Sequence, residues 1–258
     1  MPDAVPPNPT ACLLVIGNEV LSGRTQDLNI KFLATRLGEI GIPVREVRVI
    51  PDVAATIIGT VNAVRAMYDH VFTTGGIGPT HDDITSECIA GAFGVPWEPH
   101  PVAWEKMAAA YKPGDFNAAR QRMATMPRGA SLIETTASLA PGFSIGNVHV
   151  MAGVPRIMQA QFESLAPTLS GGRPVLSRSV HAVGLMEGAI AAGLSAIQDR
   201  FPMLDIGSYP YYRSGGGGGV AIVAKGTDAA AAEAAIAEVT TLMTSLGGAP
   251  VQGEPAPA

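Results

Sequence analysis

The chain has 258 residues, 47% of them hydrophobic and 15% charged, with a formal net charge of −5. That length carries one large domain, or a medium and a small one, each with its own core. An acidic chain with no Lys/Arg cluster is not built for nucleic acid or an acidic membrane surface, and no apolar run approaches membrane-spanning length, so a small molecule is the expected partner.

Residues 1–10 hold Pro2, Pro6, Pro7 and Pro9 and lack the basic and apolar stretches of a signal peptide, so they read as a disordered N-terminus. The two cysteines, Cys12 and Cys88, read as buried thiols rather than a disulfide, which suits a reducing, cytoplasmic setting. Residues 12–16 form an unbroken apolar run suited to a buried strand, after which Ile30, Leu33, Leu37 and Ile40 recur at helical spacing until Gly41. A second strand follows over 44–50, then a helix with Ile57, Val61, Val64 and Tyr68 on its apolar stripe and Asp52 available as its cap, then a third strand through His70, Val71 and Phe72. Strand and helix alternating in this way predict an α/β domain, a three-layer sandwich around a mostly parallel sheet. Helices are expected around 102–111 and 117–126. Gly146-Asn147 between two short apolar stretches signals a hairpin, and a last helix starts near Pro155 and ends near Leu169. A linker near 170–174 closes this domain, assigned to residues 11–172. Residues 173–247 read as a small α+β domain with strands at 179–183, near Ile206 and at 220–224, and helices over 189–201 and 228–246. The glycine run 215–219 reads as a mobile hairpin loop, and 248–258 as a disordered tail.

The most informative segment is Thr73-Thr74-Gly75-Gly76-Ile77-Gly78-Pro79-Thr80-His81-Asp82-Asp83-Ile84-Thr85. It leaves a strand, passes through glycines, meets two acids and starts a helix that Thr85 or Ser86 can cap. Glycines let a backbone approach an anion closely, N–H groups at a helix start attract it, and a carboxylate can hold a divalent cation against phosphate. Gly75, Gly76, Gly78, Pro79 and Thr80, with Thr74 ahead of them, are therefore candidate phosphate contacts. Asn29, near the start of the first helix, caps it or meets the ligand. The adjacent side chains of Asp82 and Asp83 diverge, so one caps while the other faces the ligand. Asp52 and Glu19 each lie just beyond a strand end, where a helix cap or salt bridge is as open as a ligand-facing acid. His81 touches the motif, but the other histidines show no metal-ligand spacing. Trp97 and Trp104 read as packing residues.

Four segments in register carry a resemblance: Gly17-Asn18-Glu19-Val20-Leu21-Ser22-Gly23, the stretch from Thr73 to Thr85, Ala140-Pro141-Gly142 and Gly153-Val154-Pro155. They resemble the molybdopterin-binding domain of molybdenum-cofactor biosynthesis proteins over about residues 11–170, and within that family the competence/damage-inducible protein A type, whose small KH-like middle domain the second part resembles. That type's C-terminal amidase domain has no counterpart before residue 258, so deamidase activity is not expected. The resemblance implies two activity classes: molybdopterin binding or adenylylation, and metal-dependent hydrolysis of ADP-ribose or FAD-like dinucleotides, the latter being the reading taken here. It places Asp83 at the family's catalytic aspartate, Asp52 at a second and Asp82 as an extra acid. It makes Glu19, Asp52 and Asp83 the ligands of a divalent ion (Mg²⁺, Mn²⁺ or Co²⁺), and puts Pro141, Gly142 and Gly153 on the pocket rim. It also implies a homo-oligomer. The chain departs from the family pattern at Thr135, Ser138 and Leu139, and at Met151-Ala152, near that rim.

Overall fold

The computed structural model describes residues 6–212 and 217–255, in two compact units that divide between Gly172 and Arg173. In the first, β1 (Ala11–Ile16) runs through a short helix α1 (Asn18–Leu21) to α2 (Asn29–Glu39), and β2 (Val44–Ile50), α3 (Ala54–Arg65), β3 (His70–Thr74) and α4 (Thr85–Phe93) follow. The chain continues with β4 (Trp97–Pro99), α5 (Pro101–Ala110), α6 (Ala118–Arg122), β5 (Thr125–Pro127), β6 (Ser131–Ile133), β7 (Gly142–Ile145), β8 (Val148–Met151) and α7 (Pro155–Leu165).

Six strands form one sheet in the order β2-β1-β3-β8-β7-β6; the first four are parallel, and β7 runs against both its neighbours. Side chains alternate across a strand, so a central strand must be apolar on both faces. β1 obeys this: Cys12, Leu14 and Ile16 pack with Ile57, Val61, Val64 and Ile89 from α3 and α4, whereas Ala11 and Leu13 pack with Leu33 and Leu37 of α2 and Met158 and Phe162 of α7. The two clusters on opposite faces make the three layers. Burial pushes the Cys12 and Cys88 thiols up to about 11, which keeps them protonated and inert.

Several local expectations need correction. The helix expected over 117–126 is only Ala118–Arg122, because Pro127 and the restricted residue before it favour extended chain, and β5 pairs with β4 instead. Residues 1–5 lie outside the described residues, but the N-terminus is anchored by Thr10, whose N–H and hydroxyl both donate to Asp69 Oδ2 at 2.7 and 2.9 Å. The first domain's hairpin is present, with Gly146 turning between β7 and β8 at φ +55°.

The second unit runs β9 (Leu176–Val183), α8 (Glu187–Arg200), β10 (Asp205–Tyr212), β11 (Gly218–Gly226), α9 (Ala229–Ser245) and β12 (Pro250–Gln252). Its antiparallel sheet has the order β10-β11-β9-β12, the split βαβ arrangement, and both helices share a core with it that includes Val180, Ile190, Ile222, Ile236 and Val239. The loop expected at 215–219 falls partly on residues outside the description (213–216). Gly218 and Gly219 belong to β11, and a Cβ on Gly219 would overlap the Ala182 carbonyl. The tail expected from 248 is also a strand in part: β12 pairs with β9, and Gly253 N–H donates to Ser179 O at 2.8 Å. Among the described residues no helix is long and apolar enough to cross a membrane.

Candidate functional site

β2 and β3 flank β1 on opposite sides, so the chain leaves the carboxyl end of β1 and the sheet order reverses there. In an open α/β sheet the crevice at such a point is where ligands bind. The sequence places its glycines and acids at this edge. Because β7 is antiparallel, its first residue Gly142 also lies there, opposite the carboxyl end of β8.

Backbone contacts knit the edge together. Gly75 has φ +102°, its N–H donates to Met151 O at 3.2 Å, and a Cβ on it would overlap the Ile16 carbonyl. A Cβ on Gly153 would stand 3.2 Å from the Gly75 Cα, so the turns after β3 and β8 touch backbone to backbone. Asn29 donates through Nδ2 to Gly153 O at 2.9 Å, joining the start of α2 to the same point. Gly142 is required too, because a Cβ there would meet Val150 O at 2.5 Å. Gly76 follows at φ +67°; its carbonyl accepts from Thr85 N–H at 2.9 Å, and a Cβ would overlap the Thr85 hydroxyl.

The helix start differs from expectation. Neither Thr85 nor Ser86 caps α4; Ile84 is the capping residue and makes no side-chain cap. Thr85 is instead the first helical residue, folded under Gly76, while Ser86 Oγ donates to Thr125 O at 2.9 Å and accepts from Trp97 Nε1 at 3.0 Å. Trp97 is thereby spent on structure, and Trp104 packs edge-on against Phe116 at 5.0 Å.

The acids divide into two groups. Asp52 does not cap α3, whose capping residue is Val53 without a side-chain cap; its Oδ2 accepts from Asn18 N–H at 2.8 Å and ties the end of β2 to the end of β1. Glu19 is exposed, with its carboxylate folded back to 2.6 Å from where a Gly17 Cβ would stand. Farther along the loop, Asp83 Oδ2 accepts from Thr80 N–H at 2.8 Å and lies 2.5 Å from the Thr80 hydroxyl, which is also 2.6 Å from Asp82 Oδ1. The single hydroxyl proton serves one of these at a time, and the Thr80 hydrogen bond, helped by Asp82's own N–H, lowers the Asp82 carboxyl below its ordinary value. His81 is almost fully exposed beside them.

The structure does not bring Glu19, Asp52 and Asp83 together as one cluster. Among the described residues no three His, Cys, Asp or Glu side chains form a group able to hold a metal, because Asp52 is engaged at the strand ends and Asp83 within its own turn. What the edge offers instead is unpartnered polar atoms. Asn29 Oδ1 and the hydroxyls of Thr73, Thr74 and Thr85 are buried without a hydrogen-bond partner. Such groups cost roughly 1–3 kcal/mol each when left unpaired. Thr73 and Thr74 are consecutive in β3 and point to opposite faces of the sheet, so Thr74 lies on the side of Asn29, and the Thr85 hydroxyl lies under Gly76. In the sequence Thr85 reads as a cap; in the structure its hydroxyl lies against Gly76.

The rim positions fare differently. Gly142 and Gly153 belong to the edge, whereas Pro141 lines a separate small cavity of about 150 Å³ together with Thr135, Ser138 and Leu139. Ser138 and Thr135 both cap local turns, accepting from Ala140 and Ala137 N–H at 3.1 Å, so the departures from the family pattern shape that neighbouring loop.

Comparisons with known proteins agree with this layout. A protein of Pyrobaculum calidifontis is 35% identical over 214 residues, spanning 78% of this chain and 81% of its own. One from Aeropyrum pernix is 32% identical over 213 residues, 79% of this chain and 80% of its own. The crystal structure of the protein CinA, of unknown function, from Thermoplasma acidophilum superposes with a TM-score of 0.59 at 30% identity, covering 62% of this chain and 96% of that one. Residues 174–247 match the middle domain of FAD synthase. Residues 12–171, which hold the whole glycine edge, match the molybdenum-cofactor-biosynthesis family described as a probable molybdopterin binding domain, and the chain belongs to that family.

Proposed function

We propose that the first unit binds a phosphorylated pterin, molybdopterin being the ligand that its family's description names, or a nucleotide of similar shape, at the carboxyl edge of its sheet. The observation that carries this reading is the turn whose glycines leave no room for side chains, with the buried, unpartnered polar atoms of Asn29, Thr74 and Thr85 next to it. Gly75, Gly76 and Gly78 line the approach of a phosphate, and the likeness of the second unit to a domain of FAD synthase supports a nucleotide as the alternative ligand. Binding is the activity that the match to a probable molybdopterin binding domain supports.

Calorimetric titration with a phosphorylated pterin, ADP, ADP-ribose and FAD tests it. Saturable binding of at least one is expected, and Gly76→Ala, whose new methyl displaces Thr85, weakens it by an order of magnitude or more. The hydrolase reading is kept alive by one observation, Asp83 standing beside Gly78. Incubating ADP-ribose and FAD with Mg²⁺, Mn²⁺ or Co²⁺ decides between the two. Release of AMP that Asp83→Ala abolishes would replace binding with hydrolysis. A homo-oligomer in the cytoplasm is also proposed, and light scattering on the purified chain tests the assembly.

A further inference from the structure

The edge just described is rich in carboxylates: Glu19, Asp52, Asp82 and Asp83 all stand at it, and an anionic ligand arriving there needs a counter-charge. Arg122 reaches the site from α6, part of the segment between α4 and β6 that the sequence motifs did not touch. Its Nη2 donates to the main-chain carbonyl of Asp83 at 3.2 Å, and the same nitrogen lies 3.8 Å from Glu87 Oε2. The guanidinium lies 5.0 Å over the Trp97 ring, and that ring is itself fixed by indole hydrogen bonds to Ser86 Oγ and Thr125 O, both 3.0 Å. A guanidinium stacked on an aromatic face keeps its plane and its charge. Its Nε–H is buried with no acceptor, while the side chain as a whole remains 32% exposed. The cation thus has an unused Nε–H and rests on the residue whose carboxylate abuts Gly78.

We propose that Arg122 is the cation of the phosphate site: it is held against the Asp83 carbonyl by Trp97, and its charge balances the ligand phosphate that enters beside Gly78. This rests on the reading of the glycine edge as a phosphate site. Neither Lys nor an apolar residue fits both duties, because Lys keeps the charge but cannot stack or fork, and Met keeps the packing but not the charge.

The test is ADP titration of the parent, Arg122→Met, Arg122→Lys and Trp97→Phe at several salt concentrations. Arg122→Met is expected to weaken ADP binding about tenfold or more and to flatten its dependence on salt, because one screened attraction has gone. Arg122→Lys should retain the salt dependence with a smaller loss of affinity, and Trp97→Phe should bind within about threefold of the parent. A merely structural Arg122 would lower the melting temperature of the Met and Lys variants alike and leave the slope against salt unchanged. That result overturns the proposal, as does an Arg122→Met affinity within twofold of the parent. If the parent binds ADP and Gly76→Ala abolishes binding while Arg122→Met does not change it, only the role of Arg122 is lost. If the parent binds no phosphorylated probe at all, the site reading fails first and this inference fails with it.

Discussion

Gly75→Ala is the sharpest test of how the edge is built. At φ +102° the backbone lies outside the region that L-residues adopt readily, which by itself costs roughly 1–3 kcal/mol for alanine. The new methyl also overlaps the carbonyl of Ile16, a main-chain atom at the end of the central strand that cannot rotate away. Overpacking against a fixed wall adds roughly 1–3 kcal/mol. Gly75 further donates to Met151 O and touches Gly153, so any shift is shared by the ends of β1, β3 and β8. Gly23→Ala is the matched control: it has φ +72° but nothing within 4 Å of the added carbon, so it bears only the backbone term, about 1–2 kcal/mol. Urea titrations followed by circular dichroism should therefore place Gly75→Ala about 2–3 kcal/mol below Gly23→Ala, and in melting curves of a domain this size roughly 4–12 °C below it. If the two variants lie within about 0.5 kcal/mol of each other, comparable to the scatter between independent sites, the close approach of the turn to β1 does not constrain the fold as argued.

Three further outcomes follow from particular contacts. His149 is buried, stacks on Phe72 at 4.8 Å and has its pKa lowered to about 4, first by burial and then by His70. Its neutral form is the folded form, so its contribution is complete above the unfolded value near 6.5 and is lost as pH falls from there towards 4, worth about 3 kcal/mol in all. Unfolding free energies between pH 7 and 4.5 should fall steeply in the parent and much less in His149→Asn. Asn29→Asp removes the donor to Gly153 O and buries a charge, so it should destabilise the first unit by about 2–4 kcal/mol and weaken ligand binding together; unchanged calorimetric affinity would remove Asn29 from the site. Asp228→Ala deletes the cap that accepts from Ala231 N–H at 3.0 Å and should lower the second unit's stability by about 1 kcal/mol in urea titrations, with ligand affinity unaltered.

The alternation of buried strand and amphipathic helix was readable because β1, β3 and the helices against them obey their periods closely, and the glycine turn announced itself through residues with no other use. What stayed hidden depended on partners distant in sequence. Asp52 looks like a cap beside a helix start, yet its partner is Asn18, 34 residues earlier, brought close by strand pairing. Thr85 has a cap's identity and position, and only the fold of the glycines places its hydroxyl under Gly76. The short strands β4, β5 and β12 carry too few residues for a period to show, and Pro127 and Pro250 argue locally against strand. Arg122 gave no local signal, since its contact with the loop spans 39 residues.

The pairing of β12 with β9 brings the two ends of the second unit together. The chain enters at Leu176 and leaves past Gly253, whose N–H bonds to Ser179 O, three residues from the entry, so the two ends emerge about 10 Å apart on one side of the sheet. A module with adjoining ends can be spliced into a loop of another protein, or cut out and replaced by a short bridge, without pulling its host apart.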